Sequence, residues 1–88
     1  MHGELEAEAR KEAERVDRIM EALEVVDARS EGLVKVLDSY HRDCRGFLED
    51  GKFLQALEAA FICWAYVDAG LHLGAFRVPD DMKKTFTV

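Results

Sequence analysis

The chain has 88 residues, 49% of them hydrophobic, with two cysteines, one proline and a formal net charge of −6. That length suits one small domain, marginal in stability unless it packs well or oligomerises. The acidic balance argues against nucleic acid and anionic membrane as partners, because both reward clustered Lys and Arg, and two cysteines do not make a secreted disulfide framework.

The first segment predicts a helix over about residues 4–26. Glu, Ala, Arg and Leu are strong helix formers, and Ala9, Ala13, Val16, Met20 and Leu23 recur at helical spacing, with Ile19 and Val26 widening the stripe. Glu6–Arg10 and Glu14–Arg18 are oriented to pair one turn apart. The first three turns offer a core only Leu5 and alanines, so that end is expected to fray or to lie along another subunit. Most of the acidic excess falls here, before Gly32. Such a face can dock a basic partner, but a solvated helix face is the commoner reading.

A break follows at residues 27–32, with Ser30 as the expected N-cap of a second helix over about 31–50. Its apolar stripe is Leu33, Leu37, Tyr40, Cys44 and Phe47, flanked by Val34, His41 and Leu48. Gly51 suits a left-handed helix stop. The connection is so short that helices two and three must form an antiparallel hairpin.

The third helix, about 53–73, carries two apolar seams. One is Phe53, Leu57, Ala60, Trp64, Val67 and Leu71; the other is Ala59, Ile62, Tyr66, Ala69 and Leu73. At about 100° per residue their centres lie roughly 160° apart. Two neighbours in a three-helix bundle sit on adjacent sides, so the second seam calls for a third contact, either the tail or a second copy of the chain. Glu58, Ala65, Asp68 and His72 mark a narrow wet stripe. Gly74 is expected to end this helix, and residues 74–88 to form a short tail. In the tail, Phe76 folds back onto the core, Pro79-Asp80-Asp81 opens a further turn, and Thr85–Val88 is β-prone, a segment able to add a strand to a partner's sheet.

The groups able to do chemistry are sparse. His41, Cys44 and Cys63 do not make a zinc site, which wants four ligands or three and a water; the cysteines read as small core hydrophobes, too far apart for a disulfide. Glu58, Asp68 and His72 are spread over several turns, although Asp68–His72 is a proper one-turn pair. Trp64 and Tyr66 face different seams and cannot form one stacking box. No catalytic residue, cofactor or metal is assigned.

Part of the chain resembles the domain-of-unknown-function family DUF357, over roughly Tyr40 to Val78. The residues that carry the likeness are Tyr40, Phe47-Leu-Glu-Asp-Gly-Lys-Phe53, Ala56 to Ala60, Val67-Asp-Ala-Gly70 and Leu73-Gly-Ala-Phe76. In that pattern a His commonly stands where this chain has Trp64, and a Gly where it has Ala65. The resemblance implies a small helical fold, an archaeal source and no assigned activity. Gly51-Lys-Phe53-Leu-Gln-Ala56 is also similar to one hairpin of a tetratricopeptide, but a single copy makes no peptide groove.

These readings converge on an all-α, three-helix bundle, a single domain over 1–88, with a helix 2–helix 3 hairpin and a short C-terminal tail. The charged N-terminus lacks a signal segment and Ala59–Val67 is too short to span a bilayer, so a cytoplasmic location is expected. The favoured function is a non-enzymatic module that self-associates, most simply as a homodimer, through Ala59, Ile62, Tyr66, Ala69 and Leu73, with room for an unidentified protein partner. The rival is a small-molecule or catalytic pocket between hairpin and tail, using Asp68, His72 and His41.

Overall fold

The computed structural model describes residues 2–85. Three helices build it: α1 (His2–Ala22), α2 (Glu31–Glu49) and α3 (Phe53–His72). Two short extended segments, β1 (Glu24–Val25) and β2 (Phe76–Arg77), pair antiparallel, Glu24 opposite Arg77 and Val25 opposite Phe76. Short 3-10 turns occupy Ala28–Ser30 and Asp80–Thr85. The all-α class and the α2–α3 hairpin are those expected from the sequence. The β-prone end from Phe86 onward lies outside the described residues. Among those described, no helix is long and apolar enough to cross a membrane.

The first helix departs from expectation at both ends. It stops at Ala22 rather than Val26. Val25 and Val26 are β-branched and stiff in a helix, and an alternative partner is at hand: the Val26 amide donates to the Ala75 carbonyl at 2.8 Å. At the other end the early turns do not hang free. Ala9 and Ala13 are fully buried, and their small side chains let α1 lie close against α3. Glu12 is buried with them, and Arg15 Nη1 donates to both its carboxylate oxygens at 2.8 Å. The same guanidinium lies 4.9 Å from the Trp64 ring centroid, a cation–π contact that ties α1 to α3. Glu6 and Arg10 pair at 2.8 Å as expected, whereas Glu14 and Arg18 are both exposed.

Ser30 stands at the start of α2, but its hydroxyl caps nothing there. It donates to the Asp27 carbonyl, while the Asp27 carboxylate accepts from the Arg29 amide at 2.9 Å. Asp27 is therefore the side chain that opens this segment, one 3-10 turn earlier than expected. At their far ends α2 and α3 stop in the same way. Gly51 and Gly74 both have φ of 73°. In each case the glycine amide and the next one bond back into the last turn: Gly51 to Leu48 and Lys52 to Phe47, Gly74 to Leu71 and Ala75 to Gly70. This is the Schellman arrangement, which satisfies orphan carbonyls and needs a residue free of Cβ strain.

α3 is the centre of the molecule. It packs against both other helices, which touch each other far less. Its two expected seams are not opposed faces needing a third partner. The first seam and the Ala59, Ile62 and Tyr66 part of the second are the two flanks of one broad face, joined by a row the seams did not include, Ala56, Cys63 and Gly70, all buried. One flank meets α1, as Arg10 over Phe53 and Arg15 over Trp64 show. The other meets α2, where Tyr66 stacks on Tyr40 with centroids 5.9 Å apart. Small residues in the middle row let both neighbours come in close enough to cover the larger flanking side chains. Ile62 and Tyr66 are thus half-buried within one chain.

Candidate functional site

The outward side of α3 is what the bundle leaves uncovered. Leu54, Glu58, Phe61, Ala65, Ala69, His72 and Leu73 are exposed there, with Asp68 half-buried. Phe61 is 55% exposed and Leu73 79%. Phe61, Ala65, Ala69 and Leu73 fall four residues apart and form one continuous ridge along the helix. Of the five residues singled out from the sequence as a surface, Ala69 and Leu73 lie on this side. Ala59 is in the core, Tyr66 is stacked on Tyr40 of α2, and Ile62 is half-buried. Phe61 was missed, although at about 100° per residue it falls between His72 and Asp68 on the stripe identified as wet.

The polar groups of the rival reading occupy separate places. His41 on α2 turns to α1, where its Nε2 lies 2.7 Å from Asp17 Oδ1. Arg45 Nη1 approaches the other oxygen of Asp17 at 3.2 Å. Asp17 thus bridges two residues of α2 that are one turn apart, and it joins helices that otherwise touch little. Asp68 and His72 sit on α3, their nearest atoms 3.8 Å apart, an ion-pair approach rather than a hydrogen bond. One oxygen of Asp68, Oδ1, is buried and has no hydrogen-bond partner among the described residues. Cys44 and Cys63 are free thiols in the core. Burial raises both their pKa values, that of Cys63 to about 12, with the Cys44 thiol as the second cause. Thiols held protonated in this way are poor nucleophiles and poor metal ligands. Among the described residues, no group of three or more His, Cys, Asp or Glu converges as a metal site would.

A pocket does exist between the hairpin end and the returning tail. Its volume is about 310 Å³, and Val26, Leu71, Phe76 and Val78 line it with Gly74, Arg77 and Lys83. None of Asp68, His72 or His41 contributes to it. The expected pocket between hairpin and tail had a different lining, and Val26 from beyond α1 forms part of this one. The polar groups come from the tail itself, which the β1–β2 pairing fixes against the end of α1.

No family model and no curated protein matches the chain. Among solved structures it is similar to the crystal structure of protein AF1782 from Archaeoglobus fulgidus, itself assigned to DUF357. The two share 31% sequence identity over 89% of this chain and 97% of that one, with a TM-score of 0.75. The residues that carried the resemblance now have visible work in the fold. Gly51 and Gly74 stop helices, Ala56, Ala59 and Ala60 are buried at the close-packed face, Tyr40 stacks on Tyr66, and Gly70 makes room for Phe76. Identity at this level across nearly the whole of both chains settles the relationship: the chain belongs to the DUF357 family, whose function is unknown.

Proposed function

We propose that this chain is a non-enzymatic helical module that self-associates through the outward side of α3. The observation that carries the reading is the ridge of Phe61, Ala65, Ala69 and Leu73, with large apolar residues at its ends and alanines between. Such a ridge is complementary to itself. Two copies related by a two-fold axis midway between Ala65 and Ala69 bring Phe61 of each against Leu73 of the other, with the alanines permitting close approach. The same rotation carries Glu58 of one copy to the end of the helix where the second copy's His72 stands. The surface shares Ala69 and Leu73 with the set expected from the sequence and replaces Ile62 and Tyr66 by Phe61 and Ala65.

The magnitudes favour a weak dimer. Two phenylalanines and two leucines contribute about 1.5–3 kcal/mol each when buried. The cost of association, about 4–15 kcal/mol, offsets much of that gain, and with the cost near its lower end about 5–7 kcal/mol remains. Sedimentation equilibrium over a concentration series is expected to show reversible dimerisation in the range of tens to hundreds of micromolar. Phe61→Glu and Ala65→Glu should each leave a monomer with an unchanged helical spectrum. A monomer at millimolar concentration, or a dimer indifferent to both changes, would remove the proposal. The buried reduced thiols support a cytoplasmic setting for this role. The net charge supports a protein partner over nucleic acid or membrane.

A further inference from the structure

We infer that the pocket at the tail is a binding site for a small amphipathic anion, of the class of an aromatic or short-chain carboxylate. It stands independently of self-association, since its walls are not on the outward ridge of α3.

The site is built in three steps. The Schellman stop at Gly74 reverses the chain at the end of α3, and the Ala75 carbonyl then accepts from the Val26 amide at 2.8 Å. This holds the tail across the exit of α1. Phe76, turned inward, packs its ring on Gly70, where an added Cβ would collide with it. Val78 is buried beside it, 3% exposed. The floor between Val26, Leu71, Phe76 and Val78 is therefore apolar and held by backbone bonds rather than by mobile side chains.

Charge decides the ligand class. Arg77 and Lys83 both line this pocket, and among the described residues no acidic side chain does. In a chain of net charge −6, two cations on one apolar hollow are a local reversal of sign. Their present partners are weak competitors: Glu24 meets Arg77 at 3.5 Å with both side chains 66% exposed, and Asp80, 95% exposed, meets Lys83 at 2.9 Å. Exposed pairs of this kind hold little energy. A carboxylate whose apolar body fills the hollow brings its charge to the same cations from the drier side. The volume of about 310 Å³ is at the lower end for small-molecule sites. It holds about ten waters at ~30 Å³ each, so one ring with a short acidic arm fits and a long lipid does not.

The test is an amide-resolved NMR titration of the full chain with three probes: phenylacetate, its neutral analogue phenylacetamide, and acetate. Phenylacetate is expected to give saturable shifts at Gly74, Phe76, Arg77 and Val78. Phenylacetamide should bind about fivefold to tenfold more weakly, roughly a decade of affinity lost with the charge. Acetate, which lacks the apolar body, should give no saturation at the same concentrations. In the double variant Arg77→Gln and Lys83→Gln, both at exposed positions, the preference for phenylacetate over phenylacetamide should vanish while the dispersed spectrum of a folded chain remains. Equal binding of phenylacetate and phenylacetamide by the unmodified chain overturns the inference. So does a preference that survives the double variant, saturation by acetate, shifts centred elsewhere, or no saturable binding at all.

Discussion

Cys63 lies on the middle row of α3, fully buried, and its pKa is pushed up to about 12 from an ordinary 9.0 by burial first and the Cys44 thiol second. An unfolded chain ionises this thiol above pH 9, whereas the folded chain keeps the proton until about pH 12. Unfolding in that window releases a proton, so stability falls as pH rises through it. The slope for one group is about 1.4 kcal/mol per pH unit. Between pH 8 and pH 10, urea melts of the unmodified chain should lose about 1 kcal/mol more than those of Cys63→Ala. Equal losses in the two chains would mean that the thiol ionises in the fold as it does in water. The core role of Cys44 was legible from its place on the α2 stripe, whereas Cys63, on neither seam of α3, read as core from its residue type alone. The partner of His41 was not legible. Asp17 lies 24 residues away on a helix whose charges all look alike in sequence, and only the packing of α1 on α2 selects it.

Glycines separate what an element declares about itself from what its neighbours impose. Gly51 and Gly74 were legible as helix stops, since each follows an apolar run and precedes a break. Gly70 is different: it sits inside α3, where glycine costs about 1 kcal/mol relative to alanine, and nothing local accounts for it. Its reason lies six residues on, in the ring of Phe76. Gly70→Ala is expected to destabilise by about 1–3 kcal/mol through overpacking. In a Phe76→Ala background the same change should be neutral or stabilising, since the ring is gone and helix propensity remains. Gly46, inside α2 with open space around its missing Cβ, is the control, and Gly46→Ala should stabilise by about 0.5–1 kcal/mol. Thermal or urea unfolding of the four variants decides it. Additive effects of Gly70→Ala and Phe76→Ala would sever the link between them. The two seams of α3 were misjudged for a related reason. Ala56, Cys63 and Gly70 carry little hydrophobic weight, so the row joining the seams was invisible beside the larger residues on either side.

At the scale of the whole molecule, α3 has one neighbour on each flank, and α1 is as much a wall of the core as α2 is. The resemblance visible in the sequence covered mainly the α2–α3 hairpin, which invites the picture of a stable hairpin with a loose first helix. The packing contradicts it. Val16 and Ile19 are buried, and Met20 and Leu23 pack against the same core. At about 1.5–3 kcal/mol for each buried side chain and about half that for each half-buried one, these four hold about 4–9 kcal/mol. A domain of this size has a total stability of only about 4–13 kcal/mol. Releasing α1 alone would therefore cost about as much as unfolding everything, and it would also lift Arg15 off the Trp64 ring. One cooperative unit follows. In native-state hydrogen exchange, amides of Val16 and Ile19 in α1, Leu37 and Cys44 in α2, and Cys63 and Val67 in α3 should converge on a single opening free energy and a single denaturant slope. The exposed first turn of α1 should exchange far faster. If the α1 amides open at lower free energy and with a smaller slope than those of α3, the first helix is an appendage, and the hairpin carries the fold without it.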